Sequence, residues 1–266
     1  MGFTADNYAE VEARVRAACE RVGRDRSEVT LIAVSKTKPL EQVCDLIAAG
    51  VRDFGENKVQ ELTGKQDVLA GRKKVSEDTH VPAGEADAFD VPAETASAVR
   101  WHLIGHLQRN KVKYIVGRAA LIHSVDSLRL AQEIEKEAVK LEAASGAPAE
   151  VPVLIEVNIG NEESKTGVAP EEFGEFYGRM GDFSALNVRG IMTMAPKCEK
   201  IEDFRAYFRK SYQIYLDFLR KKPHNIGESV LSMGMSDSFE CAVEEGSNLV
   251  RVGSAIFGAR SYPAAT

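Results

Sequence analysis

The chain has 266 residues, 44% of them hydrophobic, and a formal net charge of -6 at pH 7. That apolar share sustains a sizeable core, while the acidic balance gives no global attraction for nucleic acid. No apolar run approaches the roughly 18 residues that span a bilayer.

The opening "MGFTADNYAE" lacks the basic-then-apolar pattern of an export signal. Cys19, Cys44, Cys198 and Cys241 are scattered, with no C-x-x-C pair. A reduced, cytoplasmic protein is expected. Helical spacing predicts a first helix over 4–23, stopped by Gly23. From there strands and helices alternate. "VTLIAVS" (29–35) reads as a strand, "LEQVCDLIAAG" as a helix, "VRDFG" as a short strand and residues 56–71 as a helix. "VRWHLIG" is a third strand, followed by a short helix from about Leu107. "ALIHSV" precedes a long helix over 127–146, and "VPVLIEVNI" leads through a loop to a helix over 170–181. "NVRGIMTM" runs into a helix over 202–222, whose aromatic residues recur at core spacing. "ESVLSMG", the helix "SFECAVEEG" and the strand "NLVRVGS" complete the series.

Eight strands alternating with helices imply parallel pairing. At this length they predict a single (β/α)8 barrel over 1–266 with an extra N-terminal helix. An open doubly wound sheet is the competing arrangement. One stretch departs from the pattern. Residues 75–99 carry six acidic residues, no Lys or Arg, and two copies of "VPA". This composition predicts a disordered acidic insertion within 70–99, on the barrel face away from chemistry.

In such barrels the C-terminal strand ends form the active face, with phosphate held after strands seven and eight. The first strand then delivers Lys36, the second Asn57, the seventh "SMGMSDSFE" and the eighth "VRVGSAIFG". Ser236 is the expected anion ligand near a helix start, with Asp237 as the helix cap. Leu249, Arg251 and Gly253 share a face by the period of two, so Arg251 would reach the barrel mouth. Gly253 would leave the backbone open to a phosphate. A lysine pressed into such a pocket, with Lys38 nearby, loses its proton more readily and becomes a nucleophile. A neutral amine opposite a phosphate site suits a phosphorylated carbonyl bound as a Schiff base. Pyridoxal 5'-phosphate leads that class, and a sugar phosphate handled by an aldolase follows. Against the aldolase, no strand end offers an obvious carboxylate or tyrosine base. His102 and His106 lie four apart, but no third residue completes a metal set. Lys165 is either a solvated charge or a second amine that accepts the cofactor transiently.

"LIAVSKTKP", "FGENKVQEL", "WHLIGHLQRNK", "VNIGNEESKTG", "RGIMTMAP" and "LSMGMSDSFECAVEEGSNLVRVGSAIFGAR" together resemble the pyridoxal phosphate homeostasis (YggS/PROSC) family over nearly the whole chain. The 70–99 segment is longer than that family's usual connection. The resemblance implies a barrel like the N-terminal domain of alanine racemase, with Lys36 as the Schiff-base residue. It implies Ser236, Gly253 and Ser254 near the phosphate, Arg251 at the pyridine nitrogen and Asn57 lining the pocket. A permanently charged arginine at the ring nitrogen weakens the cofactor as an electron sink. Only six residues follow Arg260, so no second, racemase-type domain is expected. The expectation is a monomeric, non-catalytic carrier that buffers or delivers pyridoxal phosphate, with pyridoxal-phosphate-dependent apo-enzymes as partners. A fold-type III amino-acid racemase or lyase is the alternative.

Overall fold

The computed structural model describes residues 2–72, 91–162, 165–221 and 229–259. Its eight strands are β1 (Thr30–Val34), β2 (Asp53–Glu56), β3 (Arg100–Leu103), β4 (Leu121–Val125), β5 (Val151–Val157), β6 (Leu186–Thr193), β7 (Val230–Ser232) and β8 (Leu249–Val252). All neighbours pair in parallel in chain order, and β8 pairs with β1 to close the barrel. The open-sheet alternative is excluded by that closure.

Helices cover the outside: α1 (Phe3–Arg21), α2 (Leu40–Ala48), α3 (Val59–Leu69), α4 (Ala93–Ser97), α5 (Leu128–Ser145), α6 (Phe173–Met180), α7 (Ile201–Lys221), α8 (Phe239–Glu244) and α9 (Ser254–Phe257). The period-two alternation of each strand sorts apolar residues into two layers. Ile32, Val34, Leu121, Leu154, Met192 and Leu249 fill the barrel interior. Leu31, Ala33, Ile122, Val153 and Val250 join the layer beneath the helices. Phe208, Tyr215 and Phe218 of α7 are buried in that outer layer, so its aromatic spacing is core packing. α1 buries Val11, Val15, Ala18 and Cys19 on one face and is tied to the end of the barrel by Asn7 donating to Ile256 O at 2.9 Å.

Helix ends follow local chemistry. Ser127 caps α5 by accepting from Leu130 N, and Gly146 closes that helix at φ 72°, a conformation glycine reaches without penalty. Ser127→Ala is expected to cost about 1 kcal/mol, read as a fall of about 2–4 °C in the thermal midpoint. Asp237 does not cap α8. Ser238 stands at that position without a side-chain cap bond, and its hydroxyl instead accepts from Met235 N. The helix expected over 56–71 begins at Val59, because Glu56 ends β2. Of the expected acidic insertion, residues 73–90 lie outside the described residues. Its last part is ordered: α4 forms over Ala93–Ser97 and Val99 is buried.

Candidate functional site

Every side chain singled out at the strand ends meets in one cavity of about 460 Å³ at the C-terminal mouth of the barrel. Lys36, Asn57, Ser236, Arg251, Gly253 and Ser254 all line it. Lys38, Glu156, Thr166, Met194 and Met235 complete much of its wall.

Lys36 sits one residue beyond Ser35, in the turn that follows β1. A buried charge cluster beneath the turn sets its path. Lys65 of α3 is fully enclosed and donates to Ser35 O at 2.7 Å, Glu56 Oε1 at 2.7 Å and Glu61 Oε1 at 3.1 Å. Ser35 Oγ donates to the same Glu56 oxygen at 2.6 Å, and Thr37 N donates to Glu61 Oε1 at 2.6 Å. Both neighbours of Lys36 are thereby held. Thr37 has φ 62°, a region a β-branched residue enters only under constraint. Lys38 stands nearby on the same cavity wall, but not as part of the strand. β1 has already ended, and its ammonium donates to Phe257 O at 2.8 Å and Ala259 O at 3.0 Å. Burial lowers the Lys38 pKa, and its charge is directed at backbone carbonyls.

Across the cavity, Ser236 Oγ accepts from Gly253 N at 3.2 Å and from Ala255 N at 3.3 Å. Two amides and a hydroxyl thus converge where the strand-seven and strand-eight loops meet. Gly253 has φ -116°, open to any residue, so its requirement is for room. A Cβ there would sit 3.3 Å from Val34 O and 3.4 Å from Val34 Cβ. Gly105 faces the same demand more severely: its Cβ would lie 2.4 Å from Asn57 O, so only glycine lets the turn after β3 pass this close to the backbone of Asn57, which follows β2 at the rim.

Arg251 forms the polar floor. It is buried on the inner face beside Leu249, as the period of two predicts. It donates through Nη1 to Ser232 Oγ and through Nη2 to Thr193 O at 3.0 Å. Burial pushes its pKa down to about 10, still well above neutrality, so the guanidinium remains a cation. Glu156 is the residue missed in the sequence. It lines the cavity, accepts from Thr166 Oγ1 at 3.0 Å, and is raised in pKa by burial. The same alternation that points Leu154 inward points Glu156 inward too. The claim that no strand end supplies a carboxylate is therefore corrected.

Of the other candidates, His106 joins the cavity wall, whereas Lys165 and His102 do not. Lys165 pairs with Glu162, while its neighbour Thr166 reaches the cavity. His102 and His106 diverge, His102 bonding Asp53 inside the barrel and His106 approaching Asp126 at the rim. No metal-binding group of His, Cys, Asp and Glu occurs among the described residues. Nor, among them, is any helix long and apolar enough to cross a membrane.

The family profile described as alanine racemase, N-terminal domain, matches residues 7–261. The chain is 38% identical over 257 residues to the pyridoxal phosphate homeostasis protein of Aquifex aeolicus, covering 97% of this chain and 98% of that one. Identity to the protein of the same name from Pseudomonas aeruginosa is 37% over 267 residues, with 99% of each covered. Among solved structures, PipY of Synechococcus elongatus with PLP bound superposes at a TM-score of 0.70 with 29% identity, over 96% of this chain and all of PipY. A Clostridium difficile alanine racemase, 15% identical, shares the fold at a TM-score of 0.61 over 97% of this chain and 58% of its own. Sequence, barrel and strand-end geometry agree, and the chain belongs to the pyridoxal phosphate homeostasis protein family.

Proposed function

We propose that this protein binds pyridoxal 5'-phosphate as a Schiff base on Lys36 and holds it in reserve, buffering the free aldehyde or passing it to apo-enzymes. The observation that carries the reading is the opposition, in one cavity, of a constrained lysine and a backbone anion cradle. An amine held between Ser35 and Thr37 faces the amides of Gly253 and Ala255 gathered around Ser236. Names and bound cofactors among the relatives support the same choice over a sugar phosphate.

The residues present fit the group. Ser236, Gly253 and Ser254 would take the phosphate, where backbone N–H donors favour an anion. Arg251 would face the pyridine nitrogen, and Asn57 would line the ring. When bound, the cofactor supplies a carbonyl for amine exchange and an electron-accepting ring. A cation against that nitrogen disfavours its protonation, which suits storage better than turnover. Lys38, tied to Phe257 and Ala259 carbonyls, closes the rim beside Lys36.

The test is intact-mass analysis after borohydride reduction of protein incubated with pyridoxal 5'-phosphate, followed by peptide mapping. One reduced adduct on Lys36 is expected, and none on Lys36→Ala at equimolar cofactor. An adduct spread over surface lysines, or a wild-type protein that stays unmodified with excess vitamer, rejects the reading.

A single observation favours the racemase or lyase alternative. Glu156 supplies a buried carboxyl in the cavity, its pKa raised in the direction an acid–base group needs. Exchange of substrate α-hydrogens in deuterium oxide decides between the two. The storage reading expects no exchange above that of free cofactor across the common amino acids.

A further inference from the structure

The barrel interior beneath Arg251 contains an uninterrupted chain of buried polar groups that the cofactor site does not require. Ser232 of β7, which accepts from Arg251, lies 3.2 Å from His123 Nδ1 of β4. His123 Nε2 lies 3.1 Å from His102 Nδ1 of β3, and His102 Nε2 lies 3.1 Å from Asp53 Oδ1 of β2. Arg100 closes the chain at the opposite barrel mouth, donating through Nε to Asp53 Oδ1 at 2.7 Å. Asp53 and Arg100 are the first residues of their strands, whereas Arg251 lies near the end of its own. The chain therefore runs most of the barrel's length. His102, His123, Ser232 and Arg251 are each at most 5% exposed.

Donor and acceptor chemistry orders it. Arginine can only donate, so Ser232 Oγ accepts at that end and its single proton goes to His123 Nδ1. A neutral imidazole that accepts at Nδ1 carries its proton on Nε2 and donates onward. His102 repeats the pattern, and the sequence ends on a carboxylate that only accepts. Reversing any link, for example by charging His102, would leave the Ser232 hydroxyl proton buried without an acceptor in this chain. The surroundings agree: burial, with the Arg251 cation nearby, lowers the His123 pKa, and hydrogen bonds from His102 and Arg100 outweigh burial to lower that of Asp53.

We propose that His123 and His102 are positioning residues for Arg251, making a one-way chain Arg251→Ser232→His123→His102→Asp53 that fixes the guanidinium edge presented to the pyridine ring of bound pyridoxal phosphate. This rests on the cofactor reading above. Thr193 O holds one guanidinium nitrogen and the polar interior holds the other: Ser232 can serve as a stationary acceptor for Arg251 because its own proton is committed to His123.

Two measurements test it. The first needs no cofactor: nitrogen-15 long-range correlation spectra of the full chain at pH 7.5 are expected to show both imidazoles neutral with the proton on Nε2. A proton on Nδ1 of His123, or a doubly protonated His102, overturns the chain. The second uses protein loaded with pyridoxal 5'-phosphate. His123→Leu is expected to move the visible absorption maximum and raise the dissociation constant about tenfold, the loss of one charge-assisted hydrogen bond's worth of positioning. The reducible adduct on Lys36 is expected to persist. His123→Asn, whose side-chain oxygen can accept from Ser232 in place of Nδ1, is expected to restore the band. Equal behaviour of the two variants, whether both like wild type or both altered alike, reduces the histidines to packing and rejects the proposal. Absence of any Lys36 adduct in wild type instead defeats the cofactor reading, while the spectra of the free chain still decide the chain's direction.

Discussion

Lys65→Met is expected to destabilise the fold by about 3–5 kcal/mol at pH 8, the loss typical when one partner is removed from a buried ion pair. All three protons of the Lys65 ammonium are used, on Ser35 O, Glu56 Oε1 and Glu61 Oε1. Methionine would fill most of the volume and meet none of those acceptors. Two carboxylates would then share an enclosed site, and Glu56 Oε2 already has no hydrogen-bond partner. The pH dependence has a definite sign. Burial holds the Glu56 pKa above its ordinary value, and loss of the neighbouring cation raises it further. A carboxyl whose folded pKa exceeds the unfolded one stabilises the fold while protonated and loses that contribution as pH rises through the folded value. The variant's deficit relative to wild type is thus expected to shrink between pH 8 and pH 5, measured by urea unfolding at each. An equal deficit at both would mean that no uncompensated carboxylate is left behind. Because Ser35 and Thr37 hang on the same cluster, adduct formation at Lys36 is expected to fall as well, although Lys65 does not touch the cavity.

The reach of sequence reasoning followed the physics of burial. Lys36, Ser236, Arg251 and Gly253 were legible because each stands at or near a strand end, where a polar residue interrupts an apolar run. The barrel was legible from the alternation itself. The His102–His123–Ser232 chain was not. Parallel barrel strands are covered on both faces, so "LIHSV" in β4 is buried at every position and polarity gives no sign of which residues turn inward. Lys65 was not legible for another reason. Its i,i+4 spacing from Glu61 is the pattern of an exposed helix pair, yet it lies along the buried stripe of Val59, Leu62 and Leu69. Only the close approach of Ser35 and Glu56 makes a charged residue tolerable there. Glu156 was within reach of the strand rule that found Arg251, since Leu154 already marked the inner face of β5. The Asp237 cap failed because the turn leaving β7 places Ser238 at the helix start, a one-residue difference that spacing alone does not resolve.

Gly253→Val is expected to weaken pyridoxal 5'-phosphate binding about a hundredfold, equivalent to about 2.7 kcal/mol, while costing the fold only about 1–2 kcal/mol as overpacking at the cavity edge. The backbone at φ -116° accepts valine, so the penalty arises from space. Even a Cβ stands 3.3 Å from Val34 O, and two further methyl groups would crowd β1 and push residue 253 off the position from which its amide meets Ser236. Gly253→Ala is expected to fall between, because Val34 needs to yield only slightly. Isothermal titration with the cofactor and with inorganic phosphate, alongside thermal unfolding, follows the series. Affinity unchanged across Gly, Ala and Val would move the phosphate away from this corner. At saturating cofactor the reducible adduct on Lys36 is still expected in the valine variant, since Ser35 and Thr37 keep the contacts to Glu56 and Glu61 that fix the turn. Affinity lost with the covalent link preserved would separate the two halves of the site: the amides hold the anion, and the turn after β1 presents the amine.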